Sequence, residues 1–190
     1  VSDVVVVGDF IDFPTISRFD ARDIDSNVGM EISAAGDVLH ELVDAGLTVH
    51  WSRGNHELRF FRALKHQVTI HDLIRMCGVD SESVKGYDTE DLWVSHQGQT
   101  WLFTHQQQYN KNPLTVARAL HEKYGEINVG TAHNHLYAMG YAPNGKDQLL
   151  ELGGLFDPAK MAYLNVGGAT TYPQQQNGFW VIKHGKVIIP

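Results

Sequence analysis

The stretch DVVVVGDF opens the chain with four consecutive valines and stops at Gly8. An apolar run without alternation marks a strand covered on both faces, as in a parallel sheet, and its chemistry belongs just past its carboxyl end. Residues 28–46, VGMEISAAGDVLHELVDAG, then carry Val28, Ile32, Ala35, Leu39, Leu42 and Val43 at helical spacing, with Gly46 placed to end the helix. LTVHW reads as the next strand, ending at Ser52-Arg53-Gly54. The chain therefore begins as a βαβ unit whose two strands both run into polar motifs.

Further on, LRFFRALKHQ and IHDLIRMCG read as two helices, followed by a polar loop, DSESVKGYDTED. LWVSHQGQTWLFTH predicts a hairpin turning at Gln97-Gly98-Gln99, its second strand ending at His105. NPLTVARALHEKYG predicts a helix with Asn112 as cap, Pro113 in the first turn and Gly125 past the end. INVGTAH, AYLNVGG and the pair FWVIK and KVII, the last two joined by His184-Gly185, read as strands. The segment YAPNGKDQLLELGGLFDPAK is turn-rich and is expected to form an excursion over the site.

The whole chain, 190 residues, predicts a single domain, 1–190, with a two- or three-layer core. Apolar residues make up 43% and charged ones 19%, which excludes a disordered or fibrous protein. A net charge of -7 with no Lys/Arg run disfavours tight binding to long nucleic acid but leaves room for a small phosphate-bearing substrate. The single cysteine, Cys77, fits a reducing compartment and reads as a small buried hydrophobe near a helix end. No apolar stretch approaches the roughly 20 residues that span a bilayer, so no membrane partner and a cytoplasmic location are expected. Oligomeric state has no signature here. The unusual count is 11 histidines, which points to metal or acid-base chemistry.

Four polar clusters fall at the ends of predicted strands: Gly8-Asp9-Phe10-Ile11-Asp12, Gly54-Asn55-His56-Glu57, Thr104-His105 and His133-Asn134-His135. In an open α/β sheet such ends converge on one crevice. Carboxylate, carboxamide and imidazole without thiolate suit Mn2+, Fe or Zn2+ and not a structural zinc site. Taken one at a time, Asp9 reads more often as a turn former, Asn55 as a helix cap and the His-x-His pair as solvated histidines. His133 and His135, two apart, project to the same side if their segment is extended. Glu57 reads as a first-turn acid favoured by the helix dipole.

Taken together and in order, GDFID, GNHE, TH before QQQYN, and AHNH resemble the motifs of the calcineurin-like metallophosphoesterase superfamily, and YLNVGGAT resembles the stretch that follows them. The resemblance implies an α/β fold, a β-sandwich of mixed sheets flanked by helices (α/β/β/α). It implies two divalent metal ions, Mn2+ first and Fe or Zn2+ as alternatives. Asp9 would bridge the metals, Asn55, His105 and His133 would complete one shell, and His135 would serve the other. His56 would be the general acid, oriented by Asp12, with a metal-bound hydroxide as nucleophile on a phosphomonoester or phosphodiester.

The family's usual opening strand, ending in Asp-x-His, has no counterpart here, so a leading strand-loop-helix unit is expected to be missing. Ala132 and Gln106 stand where the family prefers glycine. The loss of leading ligands raises an alternative, a non-catalytic interaction scaffold on the same fold. A P-loop at GYAPNGKD is disfavoured because Asp147 replaces the required Ser or Thr. Substrate choice is expected to rest on residues 13–27, 81–91 and 136–161, and Arg53 reads either as a phosphate contact or as a surface residue.

Overall fold

The computed structural model describes residues 1–17, 25–79, 82–157 and 175–188, so the expected strand AYLNVGG lies outside the described residues. The chain forms two compact units, Val1–Glu90 and Asp91–Pro190. Both are α/β, with helices packed on a sheet.

In the first unit, β1 (Asp3–Val7), α1 (Val28–Asp44), β2 (Thr48–Ser52), α2 (Asn55–Ala63), α3 (Ile70–Met76) and β3 (Val84–Tyr87) follow in order, with a 3-10 turn at Pro14–Ile16. The three strands form a sheet in the order β1-β2-β3, all parallel. Register sets Val4 and Val6 beside Val49 and Trp51, and these beside Val84 and Gly86, on one face. Leu39 from α1 and Ile70, Leu73 and Ile74 from α3 join Val49 and Trp51 in the core under that face. Cys77 belongs to this core at the end of α3, and burial pushes its thiol up to about 11, as suits a packed hydrophobe.

Three expectations change here. Val4, Val5 and Val6 are only half-buried, because β1 is an edge of the three-strand order among the described residues. The loop expected at 80–91 contains β3, a strand of only four residues whose lysine and glycine hide its period. Helix α2 starts at Asn55 rather than Leu58 and stops at Ala63, because Gly54 occupies the cap and Lys65 and His66 turn left-handed.

The second unit contains β4 (Asp91–His96), β5 (Gln99–Thr104), α4 (Thr115–Tyr124), β6 (Asn128–Thr131), β7 (Tyr137–Tyr141), β8 (Gln148–Leu152), β9 (Val181–Lys183) and β10 (Lys186–Ile188). Its main sheet runs β4-β5-β6-β8-β7 and is mixed, while β9 and β10 form a separate hairpin. Both expected hairpins are present, each closed by two residues with positive φ, Gln97-Gly98 and His184-Gly185, the geometry that matches strand twist. Leu102, Val129 and Leu149 stand side by side across three strands, and Ala117 of α4 packs on them.

Here α4 begins at Thr115, not at Asn112, because Leu114 adopts a left-handed conformation (φ 64°) and interrupts the run. The expected excursion at 141–160 instead contributes the end of β7 and all of β8, which lies between β6 and β7 within the sheet. The P-loop spacing at 140–147 falls on this hairpin, where Asn144 accepts from the N–H groups of Lys146 and Asp147 and the next element is the strand β8. Among the described residues no helix is long and apolar enough to cross a membrane.

Candidate functional site

The first unit gathers one set of the expected residues where β1 and β2 end. Gly8 and Asp9 both turn left-handed (φ 69° and 53°), bending the chain sharply out of β1. A non-glycine residue in that region costs energy that surrounding bonds must offset. Glu57 supplies them: its carboxylate accepts the N–H groups of Asp9 (2.9 Å), Phe10 (2.8 Å), Ile11 (3.3 Å) and Gly54 (2.8 Å). The side chain is wholly buried. Burial, reinforced by the nearby charge of Asp9, pushes its carboxyl up, while the N–H donors work against that. Glu57 is thus the first-turn acid expected and, in addition, an anchor for the loop after β1.

Gly54 matters by what it lacks. A Cβ there would collide with the backbone nitrogen and side chain of Asp9, so only glycine lets the two loops meet. Gly54 is also the N-cap of α2, which makes Asn55 the first residue of the helix and removes the cap reading for it.

His56 sits between two carboxylates. Its N–H donates to Asp9 Oδ1 at 2.9 Å, its Nε2 lies 3.6 Å from Asp9 Oδ2, and its Nδ1 lies 2.9 Å from Asp12 Oδ1. The Asp12 approach is close but poorly aligned for a hydrogen bond. Arg53 is half-buried and stands 4.0 Å from Glu90, at the limit of an ion pair.

The second unit gathers the histidines at the ends of its parallel strands. His105 follows β5 and is buried; Thr104 beside it donates to Asp91, and Gln106 bonds both Asp91 and Thr104 at 3.2 and 3.0 Å. The rings of His105 and His133 meet at 5.2 Å, nearly perpendicular, and each brings a ring nitrogen within 4.8 Å of the other's. His133 and His135 both have positive φ, 79° and 53°. Their segment is therefore not extended, and the same-side argument fails: His133 turns to His105, whereas His135 packs against Phe156 at 5.1 Å and bonds Gln175 at 3.1 Å.

No family model and no curated protein matches this chain.

The donor sets fit a divalent cation on their own chemistry. Nitrogen and oxygen donors without thiolate, one pair of imidazoles preset at ligand spacing, and three expected ligands in costly backbone conformations are all features of a prearranged site. Between His133 and His135, Asn134 is buried with neither side-chain heteroatom in a hydrogen bond. Glu151 on β8 is also buried; burial pushes its carboxyl up to about 7, against the pull of Thr131 and the Leu114 N–H.

Sequence reading missed the anchoring role of Glu57, and it missed Gln175 and Glu151 altogether. For Glu57 a signal existed: it occupies an apolar position of α2, in line with the buried Phe60 and Phe61. A charged residue on a buried face asks for a partner. Gln175 carries no such mark, because its role depends on contact with a residue 40 positions away.

Proposed function

We propose that the chain is a metal-dependent hydrolase of phosphate esters, a metallophosphoesterase. In this reading Asp9, Asn55, His105, His133 and His135 hold two divalent cations, Mn2+ first among them. Bound there, the cations would neutralise the phosphate and lower the pKa of a water molecule. The chain's own residues do the rest. Asn55 offers a neutral oxygen that leaves the site's positive charge intact for an anionic substrate. His56 donates a proton as the ester oxygen departs, and Asp12 orients its imidazole.

The observation that carries this reading is the pose of His56, with Asp9 at one nitrogen and Asp12 at the other (3.6 and 2.9 Å). A general acid needs a nearby partner and a set orientation, and carboxylates close to both ring nitrogens support that role. A small phosphate ester agrees with the acidic balance of the chain, which disfavours nucleic acid.

The test is hydrolysis of aryl phosphomonoesters and phosphodiesters with Mn2+ present. The parent chain turns over at least one class, and His56→Ala loses about 10²–10⁴-fold in turnover with metal content unchanged. Equal rates for parent and variant would leave the non-catalytic scaffold as the better account.

A further inference from the structure

His135 is held more elaborately than a solvated histidine needs. Its Nδ1 lies 3.1 Å from Gln175 Oε1, and since an amide oxygen only accepts, Nδ1 carries the hydrogen. Its backbone carbonyl accepts the N–H of Gln176 at 2.8 Å. The Gln176 carbonyl in turn accepts from Gly154 (3.0 Å), and its side-chain oxygen accepts from Tyr137 (3.1 Å). Phe156, whose ring flanks the imidazole at 5.1 Å, is fixed by Asn177, which accepts from the Phe156 N–H (3.1 Å) and donates to its carbonyl (2.8 Å). Gly154 leaves room for that ring, which a Cβ there would strike. Three consecutive residues, Gln175 to Asn177, thus grip the imidazole, the backbone and the packing neighbour of one histidine whose own φ of 53° is unfavourable.

We propose that Gln175 is a positioning residue for His135, its amide oxygen holding the imidazole in the Nδ1–H tautomer so that Nε2 is presented as the donor to a metal. The inference rests on the reading of His135 as a ligand. Imidazole ligands depend on such a partner for tautomer and orientation, and loss of the partner weakens binding about 10–100-fold.

The test reads the tautomer directly, by long-range nitrogen-proton correlation spectra of chain labelled with 15N-histidine, chelator-treated, at about pH 8, above the ordinary imidazole range. His135 is assigned by its loss in His135→Ala. The parent shows a protonated Nδ1 and an unprotonated Nε2, and Gln175→Leu shifts the population toward Nε2–H. Mn2+ titration by calorimetry then shows one of the binding steps weakened about 10–100-fold in Gln175→Leu and restored in Gln175→Glu. A parent His135 already in the Nε2–H form, or a Gln175→Leu spectrum identical to the parent's, overturns the inference. Absence of Mn2+ binding by the parent would count against the proposed function instead, while the spectra still decide the role of Gln175.

Discussion

The carboxylate of Glu57 accepts the backbone N–H of Asp9 at 2.9 Å, across 48 residues of chain. That bond and its neighbours make the position of Asp9 a property of α2 as much as of β1. Replacing Glu57 by Gln keeps one acceptor but turns an amide N–H₂ toward backbone donors. We expect a loss of about 2–4 kcal/mol, read from urea unfolding, because charge-assisted bonds to several buried N–H groups go together. A loss below about 0.5 kcal/mol, the range of ordinary surface changes, would show that the loop holds its shape without this anchor.

Asp12→Asn tests whether the approach to His56 serves proton donation. The variant should lose about 10–100-fold in turnover on esters with alkyl leaving groups, a fraction of what the general acid itself supplies. On nitrophenyl esters, whose leaving group needs little protonation, the loss should be far smaller. Equal losses on both would assign Asp12 to substrate binding or to stability.

Gly54→Ala introduces a single methyl against Asp9. Overpacking at such a contact costs about 1–3 kcal/mol, and the displaced carboxylate should lose Mn2+ along with it. Thermal unfolding and metal titration of the same sample check both, and a variant that keeps parental metal affinity would show that the close approach is incidental.

Glu151 predicts a dependence of stability on pH. Burial raises its carboxyl from 4.5 to about 7 in the folded chain, so the folded state holds a proton that the unfolded state releases. Its contribution is full below the unfolded value and is lost as pH rises through the folded one. Between about pH 5 and pH 8 this amounts to about 3 kcal/mol of declining stability, and Glu151→Gln should flatten that slope. Parallel slopes for parent and variant would show that Glu151 stays ionised.

What the sequence disclosed follows from the range of the interactions involved. Periodicity located α1 and β2 because packing on one side of an element leaves a repeated mark, as Leu39 and Trp51 do. It failed at β3 and β8. In β3 four residues are too few to show a period, and in β8 the buried Gln148 and Glu151 look like loop residues. Those two polar side chains are satisfied in part by distant backbone, Val187 and Gly185 for Gln148 and Leu114 for Glu151, which local reading cannot see.

The site was legible to the same degree. Asp12 beside His56, and His105 beside His133, were expected from ordered motifs and are in contact. The departure of His135 to its own surroundings was not expected, because left-handed turns at two histidines leave no mark in the sequence and His135 is held by Gln175 and Gln176, about 40 residues away.

The most direct test of the account is the number of Mn2+ ions bound per chain at equilibrium dialysis, for the parent and for Asp9→Asn. A carboxylate shared by both ions predicts about two in the parent and close to none in the variant, since a single bridge serves each shell. Uptake that is unchanged by Asp9→Asn, or absent from the parent altogether, would contradict it.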